Sequence, residues 1–581
     1  MLRDETMVRV FEFQRFLKAG ITRMSFSNDQ LSAATAFAQT MIVVDDEPRM
    51  KVEEKVPDSV QKPGRQHGAP VEGEVKAVAD PEAQRSHPLD TKGLIDGALE
   101  LGLVCAIVTP RRDEQGVPER VAKAARRADI VSLDWHMNDG DEGELASEII
   151  QAILKHDESS GGRLRLIAIY TGNKDKEKIF GLVSQRVNGN VAIAAKVVRQ
   201  GDALINGSGV RIVWREKAMG RTVPNTVVPE CKLPEELLKE FSTLSAGLLT
   251  NVALAAISSM RDTTHHVLSK FKAELDGPFF HHRAFLQKPE DSMDYAVSIV
   301  LSALKAEVDK AQIAASYSSA DAIKRRIESM EQYPDKFVFR FLDDKGVEKT
   351  SNLHSTEVLQ IITNGYATLA EPEKRKAFSD EAAKRMTTLN KKNTKKSFTT
   401  VFFSNISSAK DALLDFAFLT NSRSSELSRV HRQSPPRLDL GSILYCEKID
   451  SYLLCLQATC DTVRGSGSFF FVPLILDEIT PDHVVPHGKI KNKTKFVSLS
   501  EHESGYTRSR SVSFGAIDPK IGRVSVPFDE KKSGYFVTDV EGVEYRWLGN
   551  LKYKRALRTA QRVGQEMSRV GFDEFEPFRK A

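Results

Sequence analysis

The chain has 581 residues, more than a single hydrophobic core usually serves, so two to four domains are expected. With 41% hydrophobic and 28% charged residues it has the balance of an ordinary folded protein, which excludes wholesale disorder, and a net charge of +4 is too slight to imply nucleic acid. Five cysteines, Cys105, Cys231, Cys446, Cys455 and Cys460, are few and odd in number, as expected in a reducing cytoplasm. The first residues lack the apolar core of a signal peptide, and the most apolar long stretch, 244–260, is interrupted by Ser, Thr and Asn, so no membrane span is expected.

Residues 1–40 read as an N-terminal extension, with a mixed apolar and polar stretch from Phe11 to Leu17. Met41-Ile-Val-Val then forms a short, largely β-branched run that ends in Asp45-Asp46-Glu47. The following stretch, 49–89, is rich in Pro, Gly, Gln, Lys and Glu and reads as an inserted loop. Asp90 caps a helix to about Leu101, Val104 to Thr109 gives a second strand, and Val117 to Arg127 a second helix. A third strand runs from Asp129 into Asp134-Trp135-His136-Met137, followed by an acidic loop, 138–143, and a helix from Glu144 to His156. Asp139, Asp141 and Glu142 in that loop lack the terminal Glu of a calcium loop, so no calcium site is expected. A fourth strand, Leu166 to Tyr170, ends in Thr171, and Asp175 to Val187 forms a helix. Val191 to Val213 reads as paired strands around a Gly-Ser-Gly turn, and Val210 to Lys217 as the last strand of the set. Strands alternating with helices at this spacing predict a doubly wound parallel sheet with right-handed crossovers.

In such a sheet the ligand crevice lies beyond the carboxyl ends of the strands, where Asp45, Asp46, Asp134 and Thr171 converge. Three carboxylates and a hydroxyl make a hard-oxygen site whose mutual repulsion calls for a cation, and Mg²⁺ suits a few carboxylates with water and a phosphate oxygen.

This pattern resembles the receiver domain of two-component response regulators. That family has an acidic pair ending its first strand, a phosphoacceptor Asp ending its third, a Thr or Ser ending its fourth and a Lys just beyond its fifth. Asn138 stands where the family often has proline. Lys217 is taken as the site lysine because it follows a β-like run and Trp214 lies where the family's aromatic switch residue stands; Lys196, nearer Thr171 in sequence, is the alternative. The resemblance implies a flavodoxin-like α/β fold and catalytic roles for Asp134, Thr171 and Lys217. It also implies Mg²⁺ held by Asp45, Asp46, Asp134 and the main-chain carbonyl of His136. Asp134 would attack the phosphorus of a kinase phosphohistidine, Thr171 would bond the acyl phosphate, and Trp214 would follow it inward.

Beyond the receiver, Pro234 to about Phe271 has the spacing of one long helix, and 272–430 looks mainly helical, with Ala296 to Ala311 and Glu373 to Met386 clearest and Lys336 to Leu342 the one strand-like run. His265-His266 and His281-His282 lack the spacing that puts two ligands on one helix face, and Lys391 to Lys396 reads as a solvated linker. From Leu438 the pattern changes to short β-type runs: Ile443 to Cys446, Tyr452 to Gln457, Phe469 to Ile475, Phe496 to Leu499, Val524 to Val526 and Tyr535 to Val537. They suggest a small antiparallel sheet or barrel. The cysteines there make no zinc ribbon, and Cys460 to Arg464 is a polar turn. The chain closes with an amphipathic helix from Leu548 to Val570.

The expected organisation is an N-terminal extension (1–40), a receiver (41–225), a helical domain (226–430) and a β-rich domain with a C-terminal helix (431–581). The expected function is that of a cytoplasmic phosphoacceptor partnered by a histidine kinase and by an effector protein of the same system, acting as a phosphate sink or relay. The inserted loop, the long helix and the Cys-Asp-Thr-Val-Arg turn resemble, in layout, the large receiver proteins of bacterial anti-phage two-component systems of the Detocs type. A phosphorylation-controlled effector enzyme and a transcriptional regulator are the alternatives. Neither a nucleophile elbow, a P-loop nor a concentrated basic recognition helix is found, and no nucleic-acid or membrane partner is expected.

Overall fold

The structure is a computed structural model that describes residues 25–49, 88–110, 114–137, 141–207, 209–218, 227–244, 247–286, 289, 292–330, 337–342, 346–365, 398–425, 435–458, 467–477, 483–490, 493–501, 508–515, 517–518 and 523–567. The expected stretch Phe11 to Leu17, the body of the inserted loop, Asn138 and Asp139, the helix Glu373 to Met386, the Lys391 to Lys396 run and the turn Cys460 to Arg464 lie outside the described residues. The chain forms two units, Met1–Thr264 with Ala306–Met330, and His265–Lys305 with Glu331–Ala581.

In the first unit, α1 (Phe26–Phe37) precedes β1 (Thr40–Val44), α2 (Thr91–Glu100), β2 (Val104–Val108), α3 (Val117–Ala125), β3 (Ile130–Leu133), α4 (Glu144–Ser159), β4 (Arg165–Thr171) and α5 (Lys176–Gly189). Then come β5 (Val197–Gln200), β6 (Ala203–Asn206), β7 (Val210–Lys217), β8 (Val227–Val228), α6 (Leu233–Ser242) and most of α7 (Leu248–Leu268). The strands form one sheet in the order β2-β1-β3-β4-β7-β6-β5, with β8 beside β7. The pairs from β2 to β7 are parallel, and β6 and β5 add to it antiparallel. This is the doubly wound α/β fold read from the sequence.

The central strands are covered on both faces, so all seven residues of β4 and all four of β3 are buried. Because side chains alternate across a strand, Ile42, Val44, Val131, Leu133, Ile167 and Ile169 pack with α3, α4 and α5, while Met41, Val43, Ile130, Leu166 and Ala168 pack with α1, α2 and α6. Arg165, at the start of β4, is fully buried. It donates to both oxygens of Asp157 at 2.7 and 2.8 Å and to the carbonyls of Ala125 and Ala128 at 2.6 and 2.7 Å. One guanidinium thereby neutralises a buried carboxylate and satisfies carbonyls at and beyond the end of α3.

The inserted loop leaves and returns through a clamp. Pro48 and Arg49 pair with Leu89 and Asp90, the Leu89 N–H donates to the Glu47 carbonyl at 2.9 Å, and Thr91 Oγ1 donates to the Arg49 carbonyl at 3.1 Å. Asp90 accepts from the Gly93 N–H at 3.1 Å, the cap expected there. The paired strands expected over Val191 to Val213 are a three-stranded meander, β5-β6-β7, and strand structure begins only at Val197.

The single long helix expected from Pro234 to Phe271 is two. The N–H groups of Thr243 and Leu244 bond to Glu240 and Phe241, three residues back, while Ser242 Oγ and Thr243 Oγ1 bond to Lys239 and Glu240 carbonyls. Hydroxyls that compete for backbone carbonyls, followed by Gly247, end α6 before α7 begins.

The second unit contains α8 (Asp276–Phe285), most of α9 (Ser292–Lys310), and a hairpin of β9 (Phe337–Leu342) with β10 (Glu348–Leu353). The sequence EKTSNL of β10 carries no apolar alternation, which is why it is not legible as a strand. A ten-stranded sheet follows; its core strands are β11 (Ser442–Cys446), β12 (Ser451–Cys455), β13 (Ser468–Leu476), β14 (His483–Ile490), β15 (Lys493–Glu501), β16 (Arg510–Ser513), β17 (Gly534–Thr538) and β18 (Glu544–Leu551). Its path runs β14-β15-β13-β12-β11-β18-β17, with β16 beside β13. One face buries Leu444, Leu453, Phe471 and Trp547; the other buries Ile443, Leu454, Val472 and Leu548 beneath Ala556 and Val563 of the helix Tyr553–Met567. The expected C-terminal helix thus begins five residues late. Leu548 belongs to β18, whose Trp547 side chain packs on the opposite face from Leu548, as in a strand.

Arg165→Met should lower the unfolding free energy of the first unit by about 3–5 kcal/mol, since it leaves Asp157 charged and buried without its partner. Urea denaturation checks this, and an unchanged midpoint would show that the pair carries no such constraint.

Candidate functional site

The parallel register sets four strand ends side by side. Val44 pairs with Leu133, so the next residues, Asp45 and Asp134, emerge together. The Asp134 N–H donates to the Val44 carbonyl at 2.9 Å and the Asp45 N–H to the Val108 carbonyl at 3.1 Å, which fixes both backbones. Thr171 ends β4 opposite Glu216, and Lys217 ends β7.

Lys217 Nζ donates to Asp45 Oδ2 at 2.6 Å and to Asp134 Oδ2 at 2.5 Å. The other oxygens also have partners. Asp134 Oδ1 accepts from the Trp135 N–H at 2.6 Å and the His136 N–H at 3.4 Å, and Asp45 Oδ1 from the Glu47 N–H at 3.0 Å. Asp45, Thr171 and Lys217 are each 1% exposed, whereas Asp134 is 9% exposed, so Asp134 is the most accessible of these four. Lys196 lies elsewhere, exposed and donating to the Asn190 carbonyl at 3.0 Å.

Asp45, Asp46 and Asp134 each offer an oxygen within 4.8 Å of the others, and they are the one set of three or more ligand-type side chains so gathered among the described residues. Burial raises Asp46 to about 6, and the charges of Asp134 and Asp45 push the same way. Asp45 is likewise raised, by burial first and by Asp134, despite the Lys217 ammonium. Burial alone would depress Lys217, but Asp134 and Asp45 more than reverse it and hold the ammonium above its ordinary value. Three carboxylates facing one ammonium leave two negative charges when all are ionised, and the donors are hard oxygens. Both features fit a small divalent cation.

Several contributors escaped the sequence reading. Tyr170 places its ring 5.7 Å from Lys217 Nζ, and its hydroxyl donates to the Val228 carbonyl at 2.7 Å. Trp135 is 2% exposed and lies against Gly143, where an added Cβ would come within 2.2 Å of the indole and where φ is +80°. The glycine beginning α4 is therefore what lets that helix close over the residue after Asp134. Asn173 joins three parts of the site: its N–H donates to Thr171 Oγ1 at 3.3 Å, its carbonyl accepts from Trp214 Nε1 at 3.2 Å, and its side-chain nitrogen lies 3.2 Å from His136 Nε2. The His136 Nδ1 in turn lies 2.7 Å from the Asp141 carbonyl. A polar residue two places after Thr171 was the available signal for Asn173, but only tertiary structure shows what it joins.

No curated protein and no solved structure matches the chain. No helix among the described residues is long and apolar enough to cross a membrane. A protein-family model does match, that of the response receiver domain, over residues 37–222, and its span begins just before β1 and ends just after β7. With the sheet order, the acidic strand ends and this match in agreement, residues 37–222 place the chain among proteins that carry a response receiver domain.

Proposed function

We propose that the receiver, residues 41–225, takes a phosphoryl group from a histidine kinase onto Asp134. The observation that carries this reading is the Lys217 ammonium held between Asp45 and Asp134 at the carboxyl ends of parallel strands. The Asp134 carboxylate attacks phosphorus; the P–O bond forms as the P–N bond to the kinase imidazole breaks, and the bonding pair stays on that nitrogen. Lys217 and the main-chain N–H groups of Trp135 and His136 fix the carboxylate beforehand, so little reorganisation accompanies the reaction. Thr171 offers a hydroxyl beside the new acyl phosphate. Asp45, Asp46 and Asp134, with the main-chain carbonyl of His136, would hold Mg²⁺, which when bound neutralises charge on the equatorial phosphoryl oxygens.

For the whole chain the reading is a phosphate sink or relay in a two-component system, including one of the anti-phage kind. What supports it is that every group needed to capture a phosphoryl group is gathered within one domain. Competition for phosphoryl groups then needs only that domain and a surface that meets the kinase.

Asp134→Asn should abolish labelling by acetyl phosphate with Mg²⁺ while leaving the fold intact, because it keeps the shape and removes the nucleophilic charge. Intact mass reads this directly, and undiminished labelling would assign the acceptor elsewhere.

Lys217→Ala should suppress the change in tryptophan emission produced by beryllofluoride with Mg²⁺, with Trp214 as reporter, and Lys196→Ala should leave it intact. The reverse outcome would exchange the two lysines.

Mg²⁺ binding should weaken as pH falls below 6. Asp46, raised to about 6, must give up its proton to bind a cation, so the affinity is full above that value and drops by about tenfold per pH unit below it. Fluorescence titrations at pH 7.5 and 5 check the sign; a flat profile would remove Asp46 from the metal site.

A further inference from the structure

Lys217 ends β7, yet its ammonium lies on Asp134 and Asp45, which follow β3 and β1. In the sheet order β1-β3-β4-β7 the lysine stem therefore crosses β4, and the crossing from β7 to β3 covers about 10 Å. Leu166, Ala168 and Tyr170 are the β4 side chains on the face it crosses, which Lys217 shares with Val213 by strand alternation. Tyr170 is the last of them and 1% exposed, with its ring beneath the ammonium at 5.7 Å from centroid to Nζ. An aromatic face offers negative charge density to a buried cation, which an aliphatic side chain of similar size does not.

The same residue also reaches the lysine main chain. The ladder between β4 and β7 ends with Thr171 opposite Glu216, and β6 pairs with β7 only from Arg211 to Val213. At Lys217 the strand partner is instead Val228 of β8, with Val227 opposite Glu216. Because β8 is only two residues long, a bond from outside its own ladder matters for keeping it in place. The Tyr170 hydroxyl supplies one, donating to the Val228 carbonyl at 2.7 Å, and Val228 packs on the apolar cluster that contains the ring. Burial first, and then the charges of Glu230, Asp45 and Asp134, push this phenol well above its ordinary value, so it stays neutral and remains a donor.

We infer that Tyr170 is a positioning residue for Lys217, its ring holding the ammonium between Asp45 and Asp134 and its hydroxyl holding the strand beside the lysine main chain. This rests on the phosphoacceptor reading and adds which residue presets the lysine for it. Tyr170 then acts on the site through Lys217. Since Lys217 bonds to oxygens of two of the three carboxylates proposed to hold Mg²⁺, an ammonium held firmly there weakens the binding of a second cation, and a loosened one lets it tighten.

Four full-length proteins test this: wild type, Tyr170→Leu, Lys217→Ala and the double variant. Each is titrated with Mg²⁺ by tryptophan fluorescence and labelled with acetyl phosphate at saturating Mg²⁺, with intact mass giving the rate. Tyr170→Leu should tighten Mg²⁺ binding about threefold and slow labelling about tenfold, whereas adding it to Lys217→Ala should change neither by more than about twofold. Equal factors in the two backgrounds would mark Tyr170 as a packing residue only and overturn the inference. So would a Tyr170→Leu chain that binds Mg²⁺ and labels as wild type does. Should Tyr170→Leu lose its cooperative melt, Tyr170→Phe replaces it; it keeps the ring, loses the bond to Val228, and should slow labelling about threefold with the same dependence on Lys217. If Lys217→Ala takes no label, the Mg²⁺ comparison decides. Labelling of wild type at Asp134 alongside equal factors sinks this inference alone, whereas a wild type that takes no label sinks the phosphoacceptor reading and this inference with it.

Discussion

A buried lysine shared by two carboxylates holds the first unit to one arrangement at its strand ends. Removing an ammonium and two carboxylates from water costs several kcal/mol each, and their attraction offsets this only with close, well-directed contacts. Lys217 meets that condition at 2.5 and 2.6 Å, and main-chain N–H groups satisfy the outer oxygens of Asp45 and Asp134. Such a group adds little to stability compared with an apolar core of the same volume, and it leaves the site with excess negative charge. On the proposed reading, its place is explained by chemistry at Asp134, where a pre-set cation is useful.

The geometry follows from the sheet. Asp45 and Lys217 are 172 residues apart, and Asp134 lies 83 residues from Lys217. They meet because β1, β3, β4 and β7 run parallel and in register, with helices on both faces holding water away. Departures from a minimal fold of this kind are placed where they leave this register alone. The inserted loop is clamped by Pro48–Arg49 against Leu89–Asp90, and the β5-β6 meander is added beyond β7 at the sheet edge.

Much of this was legible in the sequence because parallel buried strands are continuous apolar runs with abrupt polar ends. Met41 to Val44 before Asp45, and Ile130 to Leu133 before Asp134, announce both the strand and the side chain it delivers. Asn173 and Tyr170 gave no such sign, since their roles arise from contacts with Trp214, His136 and Lys217 that only packing creates. The second unit was harder to read for a different reason. Its strands are antiparallel and several carry polar residues on one face, so β10 and β16 lack a run to recognise, and β18 shares an apolar stretch with the start of the last helix. The break between α6 and α7 was hidden by leucines spaced helically on both sides of it, whereas the hydroxyls of Ser242 and Thr243 decided the matter locally.

On the proposed reading, the contacts of Asn173 link the neighbourhood of Asp134 to Trp214. Thr171 is 1% exposed, and its hydroxyl oxygen accepts the Asn173 N–H. The carbonyl of that same residue holds the Trp214 indole in a half-buried position, and its amide meets His136, which follows Asp134 by two residues. A shift of Thr171 would act on one of the bonds that hold the β4-α5 loop, and the Asn173 carbonyl of that loop anchors the indole. A phosphoryl group on Asp134 would, on the proposed reading, add nearly two negative charges beside Lys217. Trp214 would, on the same reading, keep its place for as long as the Asn173 carbonyl keeps its own.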